Sequence, residues 1–223
     1  MAENRNAPRR RKPTKKVLER AAVVSERMEE HYPGDGGYLN FESPFQLVIA
    51  VLLSAQTTDK AVNKVTPELF SRWPTPEALA SADELEVQEV IHPLGFYKTK
   101  AKRAIDCART LLDEFGGEVP QDIDELQKLP GVGRKTANVV MNDAFHAAEG
   151  VAVDTHVGRV ARRLGFSKHE DPSKVEQDIL ATFPRSDWLY INKRWIAFGR
   201  EICDARRPKC AECFLSDLCP SRK

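Results

Sequence analysis

Lys135 stands directly after Leu129-Pro130-Gly131-Val132-Gly133-Arg134, and Ala137, Val140, Met141, Ala144 and Phe145 recur behind it at helical spacing. That puts an amine in the first turn of a helix, just past a glycine turn. The amides of such a turn point outward as an anion site suited to a DNA phosphate, with Gly131 and Gly133 permitting positive φ and close backbone approach. Two chemistries are open to Lys135. As an ammonium it contacts a phosphate, beside Arg134. As a neutral amine it is a nucleophile, a demanding role because free lysine is only about 0.1% neutral near physiological pH. The positive end of a helix dipole disfavours an ammonium there and so works toward the second role. A plain tight turn between helices shows the same glycine pattern.

Asp154 opens a second candidate run, Val153-Asp154-Thr155-His156-Val157 followed by Arg159-Val160. It reads either as the N-cap of a helix or as a carboxylate that stabilises positive charge at a reacting carbon. Close to Lys135 it would favour the ammonium, so it is not the group that makes the amine neutral. His156 reads as a structural hydrogen-bond donor or a DNA contact, and Arg134 and Arg159 read as DNA contacts.

Four of the five cysteines, Cys203, Cys210, Cys213 and Cys219, crowd into the C-terminal stretch. Thiolates at these spacings can converge on one metal centre, and the spacing by itself leaves zinc and iron–sulfur equally open. The chain shows neither a secretory h-region nor an apolar run long enough for a membrane span, so a reducing cytoplasm is expected, which disfavours disulfides. Cys107, alone in a helical stretch, reads as a buried apolar residue.

The elements that position these groups are helical almost throughout. Ser43-Pro44, Asp59, Thr75-Pro76, Ser81 with Glu84, Asp122 with Glu125 and Asp171-Pro172 read as helix starts. Phe45 to Ala55 is apolar nearly all round, as a buried helix is. Val151-Ala152-Val153 is the one strand-like piece and is too short to found a sheet. The fold expected is all-α. Net charge is only +1 over 223 residues, but Arg5, Arg9, Arg10, Arg11, Lys12, Lys15 and Lys16 face a single acid, Glu3, at the N-terminus. Such a run reads as a disordered arm drawn to polyanions, or as a solvated tail. Lys98, Lys100, Lys102 and Arg103 are either further phosphate contacts or one basic helix face.

Three motifs in order, Leu52-Leu53-Ser54-Ala55-Gln56-Thr57-Thr58-Asp59, LPGVGRKTANVV from Leu129 to Val140, and the run beginning at Val153, together with the cysteine spacing, resemble the endonuclease III family of helix-hairpin-helix DNA glycosylases. The resemblance covers the chain from about residue 17 to the last cysteines. It implies a bifunctional enzyme that removes oxidised or damaged pyrimidines from double-stranded DNA and cleaves abasic sites by β-elimination. Lys135 is then the Schiff-base nucleophile, Asp154 the carboxylate assisting departure of the base, and the four cysteines ligands of a 4Fe–4S cluster. It further implies that Gln56 fills the gap left by the extruded nucleotide and that the loop at Phe96 supplies a second wedge. Many relatives carry leucine there, so Phe96 is a departure.

The expected layout is a disordered arm over 1–16, a helical domain with the hairpin over 37–147, and a cluster domain joining 17–36 to 148–223. A monomer associated with DNA in the cytoplasm, at the nucleoid, completes the expectation. A pyrimidine-dimer glycosylase of the same fold and a non-catalytic DNA-binding module are the alternatives. The monofunctional adenine branch carries a glutamate where Val51 stands.

Overall fold

The computed structural model describes residues 12–34 and 38–222; most of the basic arm lies outside them. The chain runs α1 (Lys15–His31), α2 (Pro44–Leu53), α3 (Asp59–Arg72), α4 (Pro76–Ala80), α5 (Glu84–Val90), α6 (Tyr97–Phe115), α7 (Ile123–Leu126), α8 (Arg134–Ala144), α9 (Thr155–Arg163), α10 (Pro172–Thr182) and α11 (Arg185–Glu201). No strand occurs among the described residues, as expected of an all-α chain. Val151, Ala152 and Val153 form a buried, non-helical connection. Lys15 and Lys16, the last cations of the basic run, open the first turn of α1.

Short polar side chains set the helix starts by accepting hydrogen bonds from otherwise unpaired first-turn amides. Ser43, Thr58, Thr75, Asp122, Asp154 and Asp171 all do this. Two expected starts shift. Thr58 caps α3, with Asp59 inside its first turn. Asp83 caps α5, while Ser81 ends α4 and donates to the Glu77 carbonyl.

The apolar side chains gather into two clusters. One spans Phe45 to Met141 and is centred on the fully buried α2. The other joins Ala21, Val24 and Met28 of α1 to residues 151–215, with Trp195 and Phe198 at its centre. The two chain ends meet there through His31 stacked on Phe214 at 3.7 Å and Arg27 paired with Asp217 at 2.6 Å.

Polar ties cross between the clusters. The Glu176 carboxylate, on α10 and buried, accepts from Arg134 Nε at 2.7 Å, Asn138 Nδ2 at 2.8 Å and the Val151 amide at 3.3 Å. A Cβ at Gly150 would come within 2.4 Å of both Asn138 Oδ1 and Glu176 Oε1, so only glycine lets this network close. Arg200 of α11 pairs with Asp59 of α3 at 3.2 Å.

Candidate active site and cysteine centre

A cleft of about 380 Å³ lies where α2, α8, α9 and α11 meet, lined among others by Gln56, Lys135, Asp154 and His156. Lys135 is the second residue of α8 and exposed. Gly133 is the N-cap of that helix and offers no side chain to its amides. Only Gly131 uses positive φ, at 84°, where a Cβ would also sit 3.1 Å from Leu52 Cδ1. Gly133 has an ordinary extended backbone, φ −94°, and nothing within 4 Å of a Cβ position. The turn does not require a glycine there, and its lack of a side chain leaves the start of α8 open to the outside.

Asp154 caps α9, its Oδ1 accepting from the Val157 amide at 2.8 Å. The structural role is thus real, but a carboxylate retains acceptor capacity after one such bond. His156 Nδ1 lies 3.2 Å from Arg159 Nη2. A guanidinium can only donate, so Nδ1 accepts and the ring proton resides on Nε2. Burial, more than any other influence, pushes the His156 pKa down, which keeps the ring neutral at pH 7.

Arg134 and Arg159 were expected to touch DNA. The fold gives both of them internal partners as well. Arg134 holds Glu176, and Arg159 donates to the Gly199 and Cys203 carbonyls at 2.8 and 3.1 Å. Lys100 is corrected outright: it is buried, and its ammonium donates to Thr57 Oγ1 at 2.6 Å. Burial lowers its pKa. Lys102 pairs with Asp106 at 2.9 Å, leaving Lys98 and Arg103 as the exposed cations of that run without a carboxylate partner among the described residues.

Gln56 and Phe96 share an uncommon property: both take left-handed backbone conformations, φ 55° and 58°, without being glycine. Non-glycine residues held in that region carry strain that the surroundings must impose. Phe96 is 68% exposed, which sets aside ordinary packing at a helix start. Lys100 links the two loops, since its amide bonds the Phe96 carbonyl at 3.0 Å and its ammonium bonds Thr57.

Cys203, Cys210, Cys213 and Cys219 line one cavity of about 280 Å³. Among the described residues no three His, Cys, Asp or Glu side chains converge as the shell of a single ion does. Thiolates spread around a cavity suit a polynuclear cluster, whose metal atoms fill the space between ligands, better than one zinc ion. Arg163, which sequence reading passed over, donates to Cys203 Sγ at 3.3 Å and to the carbonyls of Asp204 and Ala205 at 2.6 and 2.8 Å. Its position one helical turn after Arg159 was the available signal. Cys107 is fully buried, and burial pushes its thiol up to about 12, as expected of a packing residue.

Comparison with known proteins agrees with this geometry. Residues 49–185 match the HhH-GPD superfamily base excision DNA repair protein model, and residues 203–219 match the iron-sulfur binding domain of endonuclease III. Endonuclease III of Synechocystis sp. is 47% identical over 91% of this chain and 93% of its own length. That of Bacillus subtilis is 44% identical over 91% and 92%. A solved trapped endonuclease III–DNA covalent intermediate superposes with a TM-score of 0.86 at 41% identity, covering 92% of this chain and 96% of that one. A thermostable thymine-DNA glycosylase at 24% identity, TM-score 0.80, shares the fold. With its helix-hairpin-helix opening onto one cleft and its four cysteines around one cluster-sized cavity, the chain belongs to the endonuclease III family of base-excision DNA repair proteins.

Proposed function

We propose that Lys135 and Asp154 perform the chemistry of this base-excision DNA glycosylase and abasic-site lyase, whose substrates are damaged pyrimidines in double-stranded DNA. The observation that supports the assignment most is that two separate helix starts, α8 and α9, bring an amine and a carboxylate to one cleft. In this reading the Lys135 amine attacks C1′ while the glycosidic bond breaks, its electron pair leaving with the base, which takes up a proton. Asp154 stabilises the positive charge that develops at C1′. Loss of a proton from the amine and opening of the sugar ring leave a Schiff base. Removal of a C2′ proton then expels the 3′ phosphate, and water releases the nicked strand.

Extrusion of the nucleotide costs a few kcal/mol of pairing and stacking. Gln56 and Phe96, displayed on strained loops beside the cleft, fill the vacated space. The first-turn amides of α8, which no side chain caps, grip a backbone phosphate. The 4Fe–4S cluster, held by Cys203, Cys210, Cys213 and Cys219, supplies a four-point cross-link for the C-terminal loop. Arg206, Arg207 and Lys209 on that loop are exposed, and their side chains form no ion pair among the described residues, so they extend the DNA footprint. The protein acts as a monomer on DNA at the nucleoid.

Incubation with abasic-site duplex under borohydride tests the assignment. Wild type forms a covalent complex and Lys135→Gln does not; trapping undiminished in the variant removes Lys135 from the role.

A further inference from the structure

Two charged groups of the cleft have no part in the chemistry above. Lys193 Nζ lies 3.0 Å from Asp143 Oδ1, with the side chains only 15% and 13% exposed. Asp143 sits on the same face of α8 as the nucleophile: Lys135, Val139 and Asp143, four residues apart each time, all line the cleft, and Asn192, Lys193 and Ile196 of α11 line its other side. Eight residues of helix rise about 12 Å. A nucleotide whose C1′ meets Lys135 has room to lay its base along Val139, with its far edge toward the ion pair. Val139 offers an apolar wall to the ring face.

The pair itself is chemically specific. A carboxylate only accepts and an ammonium only donates, and here the two stand side by side. Burying such a pair contributes little stability compared with apolar residues of the same shape. The far edge of thymine-derived lesions, O4=C4–N3–H, presents an acceptor beside a donor, which is the complementary arrangement. Burial pushes the Asp143 carboxyl up and Lys193 beside it works against that.

We propose that Asp143 and Lys193 read the Watson–Crick edge of the extruded base, Asp143 accepting from N3–H and Lys193 donating to the adjacent carbonyl oxygen, so that the cleft selects pyrimidine lesions with an intact imide. The inference rests on the reading of Lys135 as the group that meets C1′. It assigns the deep end of the cleft to substrate selection, and Lys135 and Asp154 at its mouth to bond breaking.

The test uses the cluster-loaded full chain and three duplexes, carrying 5,6-dihydrothymine, its N3-methyl derivative, or an abasic site. Wild type nicks the abasic duplex, and its kcat/KM for the N3-methyl lesion falls ~100-fold below that for dihydrothymine, since methylation removes the donor and sets a methyl group against the Asp143 carboxylate. In the double variant Asp143→Leu/Lys193→Met, which removes both charges together, that ratio shrinks to about threefold or less. Equal excision of the two lesions by wild type overturns the proposal, and this arm needs no variant to fold. A ratio that persists in the double variant also overturns it and leaves the pair as a strut between α8 and α11. An abasic duplex left intact by wild type instead overturns the reading of Lys135, and this proposal with it.

Discussion

Helices α8 and α9 both start at the cleft, yet their first turns are built in opposite ways. Gly133 leaves the amides of α8 without a side-chain cap and the space around it open. Asp154 closes the start of α9 with its own carboxylate. An uncapped, exposed N-terminus is unfinished until an anion arrives, whereas a capped one is complete in the free protein. The first is suited to gripping a phosphate while holding out an amine. The second fixes a carboxylate rigidly, because the same group that lines the cleft is tied to the helix it begins.

The sharpest way to break this contrast is at the amine. Lys135→Gln is expected to lower abasic nicking about 1000-fold or more while leaving the melting temperature within a degree or two, since the side chain is exposed and forms no ion pair among the described residues. Gel assay and thermal melting together check it. Asp154→Asn is expected to reduce base excision ~100-fold without loss of stability, because asparagine caps a helix as well as aspartate does. Asp154→Ala adds a stability loss of about 1 kcal/mol. If Asn melts as early as Ala, the cap explanation of its rigidity is wrong.

The unfinished helix start predicts a smaller effect. Gly133→Ala should fold normally, there being room for a methyl group, but weaken duplex binding ~10-fold, with a shallower dependence of affinity on salt. Gly131→Ala should instead cost about 1–2 kcal/mol of stability, because its φ of 84° is unfavourable for alanine. A reversed ranking of the two in denaturant titration would contradict the roles assigned to them. The smallest expected effect concerns His156. Burial lowers its pKa, so the unfolded chain binds its proton more readily and stability falls as pH drops below about 6.5. His156→Gln should flatten that slope in melting curves taken between pH 7 and 5.

Much of this was legible in the residues. Caps such as Ser43 and Asp171 act locally, so their sequence neighbours suffice to announce them. The glycine turn and the cysteine spacing were equally plain. Lys100 was not: on a basic run it reads as a surface cation, and only the packing of α6 beside the Thr57 loop buries it. Arg134 and Arg159 likewise read as DNA contacts, and nothing near them in sequence announces Glu176 and the Cys203 carbonyl, more than forty residues away, as their partners. Long-range partners of this kind leave no local periodicity to read.

By itself the sequence determined that the chain would be helical and that an amine and a carboxylate would stand at helix starts, and it spaced four thiols so that they can share one centre; each follows from spacing within a few residues. Tertiary structure alone decided that those two helix starts open onto the same cleft, that Asp143 meets Lys193 at its deep end, and which cations face outward. The reason is physical. Helix propensity and capping act over one or two turns, whereas the partner of a buried charge is settled by how whole helices pack.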